Sequence, residues 1–288
     1  MKALLRIMRV HQYVKNLFIF LPVFFGLQIT NSRLMLMTAL AFLFFSLTAS
    51  AMYIVNDIRD CEDDQKHPVK KDRPVASGAV TKKAATLLAA ILAAAGLTGA
   101  LLLNRQMFMI TLVYVLINIL YTTVLKHVAI VDIMVIAVGF VLRLFVGSSV
   151  SGVHLSMWII IMTFLLAIFL ALAKRREDVA LYIDMGEKAR KVIDGYNIEF
   201  LNISMYIMAA VIIISYVMYT ISPLILNRPH GDKIYLTMLW VVAGILRYLQ
   251  LTLVFNSTGS PTRVLLTDRF LQIVLAGWVL SFWILIYL

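Results

Sequence analysis

The chain is poor in several things that whole classes of protein require. It has one cysteine, Cys61, in 288 residues; that excludes an internal disulfide, and a lone cysteine reads as a small helix residue. It has no glycine-rich phosphate loop, no HExxH pair and no recognisable Ser/His/Asp set, so P-loop, zinc-peptidase and serine-hydrolase chemistries find no support. The loop pattern of a soluble phosphoribosyltransferase is missing too. No small-residue cleavage site follows the basic N-terminal stretch, which leads into a span rather than reading as a removable signal peptide. No short-period repeat is present. Charge is scarce at 14% of residues, and acids are the scarcer sign, 15 against 26 lysines and arginines.

What fills the chain is apolar: 62% of residues are hydrophobic. Runs of about twenty such residues read as transmembrane helices. Nine are expected, at 17–31, 34–55, 84–103, 107–125, 129–150, 155–173, 201–225, 234–254 and 270–288, the first of them short. The fold class is all-α, a polytopic membrane protein forming a single domain over 1–288. The formal net charge of +11 would suit nucleic acid, but its placement does not. With the N terminus in the cytoplasm, cytoplasmic segments hold 20 of the 26 basic residues and the opposite segments hold 4. This is the positive-inside pattern. The expectation is a membrane protein, in a bacterial inner membrane, with no nucleic-acid partner.

Two cytoplasmic loops are long, 57–83 and 174–200, and the external ones are short. Functional residues concentrate on loops held by a rigid scaffold, so the chemistry is expected on the cytoplasmic face. Pro68, Pro74 and Gly78 break the first loop before a helix capped by Thr81. The second carries Lys174 to Glu199, a charged helical stretch with Val179, Ile183, Val192 and Ile193 on its apolar side, suited to the interface.

The densest chemistry is Asn56-Asp57-Ile58-Arg59-Asp60-Cys61-Glu62-Asp63-Asp64. At about 100° per residue, Asn56, Asp57, Asp60, Asp63 and Asp64 share roughly a third of a helix circumference, and Glu62 falls opposite. Packed carboxylates repel unless a cation neutralises them. Hard oxygen ligands of this kind suit Mg²⁺, which keeps several waters and bridges to substrate phosphates. The basic run from Lys66 to Arg73, including Lys70, would serve a diphosphate beside it, or only mark the cytoplasmic side. Lys174-Arg175-Arg176 would grip an anionic substrate or anchor a helix to headgroups. Arg143 and Arg247 fall inside spans, where arginine marks a functional cavity or buried pair, unless it snorkels to the interface. Asp132 is a candidate structural partner for a nearby cation, and Tyr121 and Lys126 end the fourth span.

At this point the chain resembles the UbiA superfamily of intramembrane prenyltransferases. The signature NDxxDxxxD is met by Asn56, Asp57, Asp60 and Asp64. The usual second signature, DxxxD on the later loop, is absent; Asp178 and Asp184 have another spacing. The chain is more similar to the decaprenyl-phosphate phosphoribosyltransferase branch. Arg9, Gln12, Lys15 and Asn16 match RPxQWxKN, with Val10 and Tyr13 replacing proline and tryptophan. Asn56 to Gly78 follows NDxRDxExDxxHPxKxxRPxASG almost throughout. Tyr121 precedes Leu125-Lys126-His127, and Lys174-Arg175 answers KRxxE with Asp178 in the glutamate place or Glu177 one residue early. Arg247-Tyr248 and the set Pro261, Leu265, Leu266, Asp268 and Arg269 complete the match.

The resemblance implies transfer of 5-phosphoribosyl from phosphoribosyl diphosphate to a polyprenyl phosphate, with Mg²⁺ as cofactor. It implies catalytic roles for Asp57, Asp60 and Asp64, and metal binding by Asn56, Asp60 and Asp64. Lys174, Arg175 and Arg247 would hold donor phosphates. Lys15, Arg73, Lys126 and Arg143 would place the donor or the lipid phosphate, and Asn16, Lys70, Tyr121 and Asp178 would complete the substrate-binding set. Two alternatives stay open: a prenyltransferase acting on an aromatic acceptor, and a lipid or ion transporter, which would place its charges nearer the bilayer midplane.

Overall fold

The computed structural model describes residues 2–66, 70–185, 191–228, 230–255 and 261–287. His67 and Pro68 lie outside the described residues. The described chain is helical and divides into two compact units, 1–155 and 156–288. Each unit carries four helices long and apolar enough to cross a membrane, eight among the described residues.

The first unit opens with α1 (Lys2–Met8), a 3-10 segment (Val10–Phe20) and α2 (Leu21–Phe25), followed by the long α3 (Ser32–Arg59) and short α4 (Cys61–Lys66). Then come α5 (Lys82–Leu103), α6 (Arg105–Thr123) and α7 (Val131–Ser151). The long helices start where the sequence offers a cap. Asn31, Thr81 and Asn104 side chains accept the amides of Leu34, Ala84 and Met107, each satisfying a donor the helix cannot. Thr81 is thus the expected N-cap. Between α3 and α5 the approach is close enough to need glycine. A methyl on Gly96 would stand 2.2 Å from Thr48 Oγ1 and 2.7 Å from the Phe44 carbonyl, and small residues at such contacts are how membrane helices gain dispersion energy. Ala41, Phe45, Ala49 and Met52 of α3 share one buried cluster with Ala85, Ala89 and Leu92 of α5, Tyr114 of α6 and Val146 of α7.

The all-helical membrane fold is as expected, with two internal differences, one in each unit. Residues 17–31 do not form a continuous helix. Arg9 takes a left-handed backbone (φ 52°), Pro22 starts a new short helix and Leu27 is left-handed again (φ 59°). The segment is held instead by packing: Ile19 and Val23 are fully buried, and the Ile19 carbonyl sits 2.0 Å from where Gly147 of α7 would carry a Cβ.

The second unit contains α8 (Met157–Met185), α9 (Ile198–Thr220), α10 (Pro223–Leu226), α11 (Met238–Leu253, led by a 3-10 turn Gly231–Thr237), α12 (Pro261–Thr267) and α13 (Arg269–Tyr287). Here too the structure redraws a loop. The stretch from Lys174 continues α8 for three further turns, because Lys174, Arg175, Glu177 and Asp178 pair at i,i+3 and i,i+4 along it, spacings that support a helix. Of its apolar residues, Val179, Val192 and Ile193 are buried and Ile183 is exposed. Arg176 ties α8 to its neighbours, donating to Asn202 Oδ1 and the Thr252 carbonyl, both at 2.8 Å.

Candidate functional site

The acidic run is not one free helical face. Helix α3 closes at Arg59, Asp60 caps it, and α4 resumes at Cys61, while the i→i−4 bonds from the Asp60 and Asp64 amides carry the helical register across the junction. Asp57, Asp60 and Asp64 therefore keep to one side, and Asp63 and Glu62 are exposed. The loop returns over this junction. Cys61 is buried with its Sγ 3.7 Å from the Val75 carbonyl, and Gln65 Nε2 donates to the Ala76 carbonyl at 3.2 Å. That return carries Arg73 onto the acids.

Each inward carboxylate meets a cation from another part of the unit. Arg73 Nη1 reaches both Asp57 Oδ1 (3.2 Å) and Asp64 Oδ2 (2.6 Å). Arg9 Nη2 also donates to Asp57 Oδ1. Lys126, in the 3-10 turn after α6, donates to Asp60, whose other oxygen accepts Asn56 Nδ2 at 3.0 Å. Thr122 Oγ1 stands 3.4 Å from Asn56 Oδ1. One buried oxygen, Asp57 Oδ2, is left without a hydrogen-bond partner among the described residues. An orphaned buried carboxylate oxygen is costly and fits a cation. Among the described residues no three of His, Cys, Asp and Glu converge as a metal cage. Mg²⁺ does not need one, since it is commonly held by one or two carboxylates plus substrate phosphates. The surroundings are cationic, with Arg9, Arg73 and Lys126 on the three carboxylates.

Thus the structure brings Asn56, Asp57, Asp60, Asp64, Arg73 and Lys126 together. Lys15 is on the 3-10 segment, Lys70 on the 70–72 turn and Tyr121 in the last turn of α6, all half-buried. Arg143 and Asn16 are buried and bonded to each other at 2.8 Å. Arg9 is the participant that sequence reasoning left out of the site. It stood in the matched N-terminal element, but nothing in its neighbours along the chain pointed to Asp57.

The second unit holds the other predicted residues. Asp178 accepts Arg175 Nη1 at 2.9 Å and Lys174 Nζ at 3.4 Å, whereas Glu177 reaches only Lys174, at 3.5 Å, among the contacts described. Asp178, not Glu177, therefore joins the two cations. Arg247 pairs with Asp268 (2.8 Å) and Gln250 (2.7 Å), between the rings of Phe255 and Phe270. That bond holds the Asp268 carboxyl below its usual range. Tyr248 packs on Phe169, and its buried hydroxyl has no hydrogen-bond partner among the described residues.

The sequence model of the UbiA prenyltransferase family matches residues 19–271. The decaprenyl-phosphate phosphoribosyltransferase of Mycolicibacterium smegmatis is 29% identical over 287 residues, covering 96% of this chain and 90% of that protein. Its namesake from Corynebacterium glutamicum is 29% identical over 290 residues, covering 99% and 87%. In structure, a UbiA homologue from Archaeoglobus fulgidus bound to GPP and Mg²⁺ matches with a TM-score of 0.74 at 22% identity, over 99% of this chain and 100% of that one, a likeness of fold. With eight membrane-length helices among the described residues and the acidic junction at the end of α3, this integral membrane protein belongs to the UbiA prenyltransferase family.

Proposed function

We propose that the protein transfers the 5-phosphoribosyl group from phosphoribosyl diphosphate to a polyprenyl phosphate and releases diphosphate. The observation that carries the reading is the balance of charge around Asp57, Asp60 and Asp64, where every inward carboxylate already has an arginine or lysine on it. A substrate pair rich in phosphate suits that balance better than an aromatic acceptor does. The names of the two relatives point the same way. We place the N terminus and this junction on the cytoplasmic side, where a soluble phosphorylated sugar is found.

In the reaction the bond from the anomeric carbon to the diphosphate oxygen breaks, and its electron pair leaves with diphosphate. A lipid phosphate oxygen forms the new bond to that carbon. The acceptor is already ionised, so no strong general base is required. Asn56, Asp57, Asp60 and Asp64 would hold Mg²⁺, with the unpartnered Asp57 Oδ2 the readiest ligand. Bound there, the ion would supply charge neutralisation for the leaving diphosphate. Arg9, Arg73 and Lys126 keep the carboxylates oriented and offer N–H donors to phosphate oxygens, arginine in bidentate fashion. Lys174 and Arg175, both bonded to Asp178, would serve as donor-phosphate ligands. The test is direct. Purified protein, Mg²⁺, labelled phosphoribosyl diphosphate and polyprenyl phosphate should yield label in the organic extract. A prenylated ring from polyprenyl diphosphate and an aromatic acid, with no labelled lipid in the matched reaction, overturns the reading.

A further inference from the structure

A guanidinium keeps its charge in proteins, and burying one at membrane depth is expensive. Arg143 is 4% exposed and lies twelve residues into α7, about 18 Å along the helix axis. Its partners are neutral. Nε donates to Asn16 Oδ1 (2.8 Å) and Nη1 to the Gly139 carbonyl (2.6 Å). The rings of Phe45, Tyr114 and Phe140 surround it at 5.1, 5.2 and 5.4 Å, a cation–π cage.

Asn16 belongs to the broken 3-10 segment, and irregular backbone at membrane depth is tolerated only where protein satisfies its polar groups. Helix α3 does so with one stripe of residues. Ser46 accepts Asn16 Nδ2 at 2.8 Å. Ser50 bonds Tyr13 Oη at 2.9 Å and donates to the Met8 carbonyl at 2.8 Å. Tyr53 lies under the Arg9 guanidinium, 5.5 Å from it, and Asp57 receives Arg9 itself. Positions 46, 50, 53 and 57 follow the helical repeat and share a face. Each contacts at least one residue of 8–16, and Ser50 contacts two. Arg143 enters this ladder at its deep end and Asp57 stands at the other. Eleven residues of α3 separate Ser46 from Asp57, about 16 Å along the axis, so Arg143 and Asp57 meet the ladder at opposite ends.

We propose that Arg143 is a positioning residue: through Asn16 it seats the 3-10 segment on α3 and so holds Arg9 against Asp57, which leaves Asp57 Oδ2 presented to a cation. The proposal rests on reading the acidic junction as a metal–diphosphate site, but not on the identity of the donor. Two measurements on the full chain in detergent test it. Arg143→Met should speed amide exchange across Gln12–Ile19 while leaving α5 unchanged. The affinity for inorganic diphosphate with Mg²⁺ should fall about tenfold in Arg143→Met, the range of coupling between residues in one network, and less than about twofold when Arg9→Gln is already present. Asn16→Ala and Ser46→Ala should show the same dependence on Arg9 at smaller size, and they carry the test if Arg143→Met does not fold. Unchanged exchange in the segment overturns the proposal, whatever ligand the site takes. Equal weakening with and without Arg9 overturns it in favour of an independent role for Arg143. Absence of magnesium-diphosphate binding in the native protein sinks the site reading instead, and the exchange result still decides whether Arg143 seats the segment.

Discussion

Removing Arg73 should convert the acidic junction from a set of neutralised carboxylates into a site that takes Mg²⁺ without substrate. Its guanidinium spans Asp57 and Asp64, whose side chains are 1% and 5% exposed, and it is itself 25% exposed. In Arg73→Met, Asp57 retains Arg9, while Asp64 loses the ion-pair partner it has among the described residues. Breaking a fully buried pair by deleting one partner costs about 3–5 kcal/mol. The partial exposure of Arg73 lowers this to an order of 2–3 kcal/mol. Unfolding measured in mixed micelles with a chelator present should show that loss. Millimolar Mg²⁺ should then restore part of it, because two adjacent carboxylates with one guanidinium between them removed attract a divalent cation. The native protein, whose three inward carboxylates already carry Arg9, Arg73 and Lys126, should gain less from Mg²⁺ alone than Arg73→Met does. Adding Asp64→Asn should recover stability in chelator and abolish the response to metal. The reasoning is refuted if Arg73→Met is as stable as the native protein in chelator, or if Mg²⁺ stabilises the two equally.

Asp60→Asn and Asp64→Asn should each abolish turnover in a chain that still runs as a monodisperse species; near-normal turnover in both would remove the metal role. Lys174→Gln should raise the apparent KM for phosphoribosyl diphosphate about tenfold or more, since a charge-assisted hydrogen bond is worth roughly 1.5–3 kcal/mol. Arg175→Gln is the less clean variant, because Arg175 is 2% exposed and bonded to Asp178. The Asp268 carboxyl, held low by Arg247, binds fewer protons folded than unfolded. Its contribution is therefore present above the ordinary carboxylate pKa of about 4 and fades as pH falls through the lower folded value. Melting curves of Asp268→Asn should lie below those of the native protein near neutral pH and meet them in strong acid; a gap that widens as pH falls would contradict this.

Much of the fold could be read along the chain, since a membrane helix must satisfy its backbone within itself and announces this by a long apolar run. That is why α3, α5, α6 and α7 were legible, and Thr81 with them, whose capping role depends on its own next turn. The acidic junction was legible for the same local reason: Asn56, Asp57, Asp60 and Asp64 are within nine residues. The limit showed at 17–31. Hydropathy records that a segment is apolar, not that it is continuous; the segment breaks at Pro22 and Leu27, and Gly147 leaves room on α7 for the Ile19 carbonyl.

What the sequence by itself determined, then, is everything set by neighbours within a turn or two: helix placement, caps, the carboxylate spacing. Tertiary structure decided which charges meet. Arg9 and Asp57 are 48 residues apart, Lys126 and Asp60 are 66 apart, and Arg143 and Asn16 are 127 apart. Several other cations in the chain were equally plausible partners for those groups. Packing at membrane depth makes the choice, because there a buried polar group finds a protein partner or bears the full cost of having none.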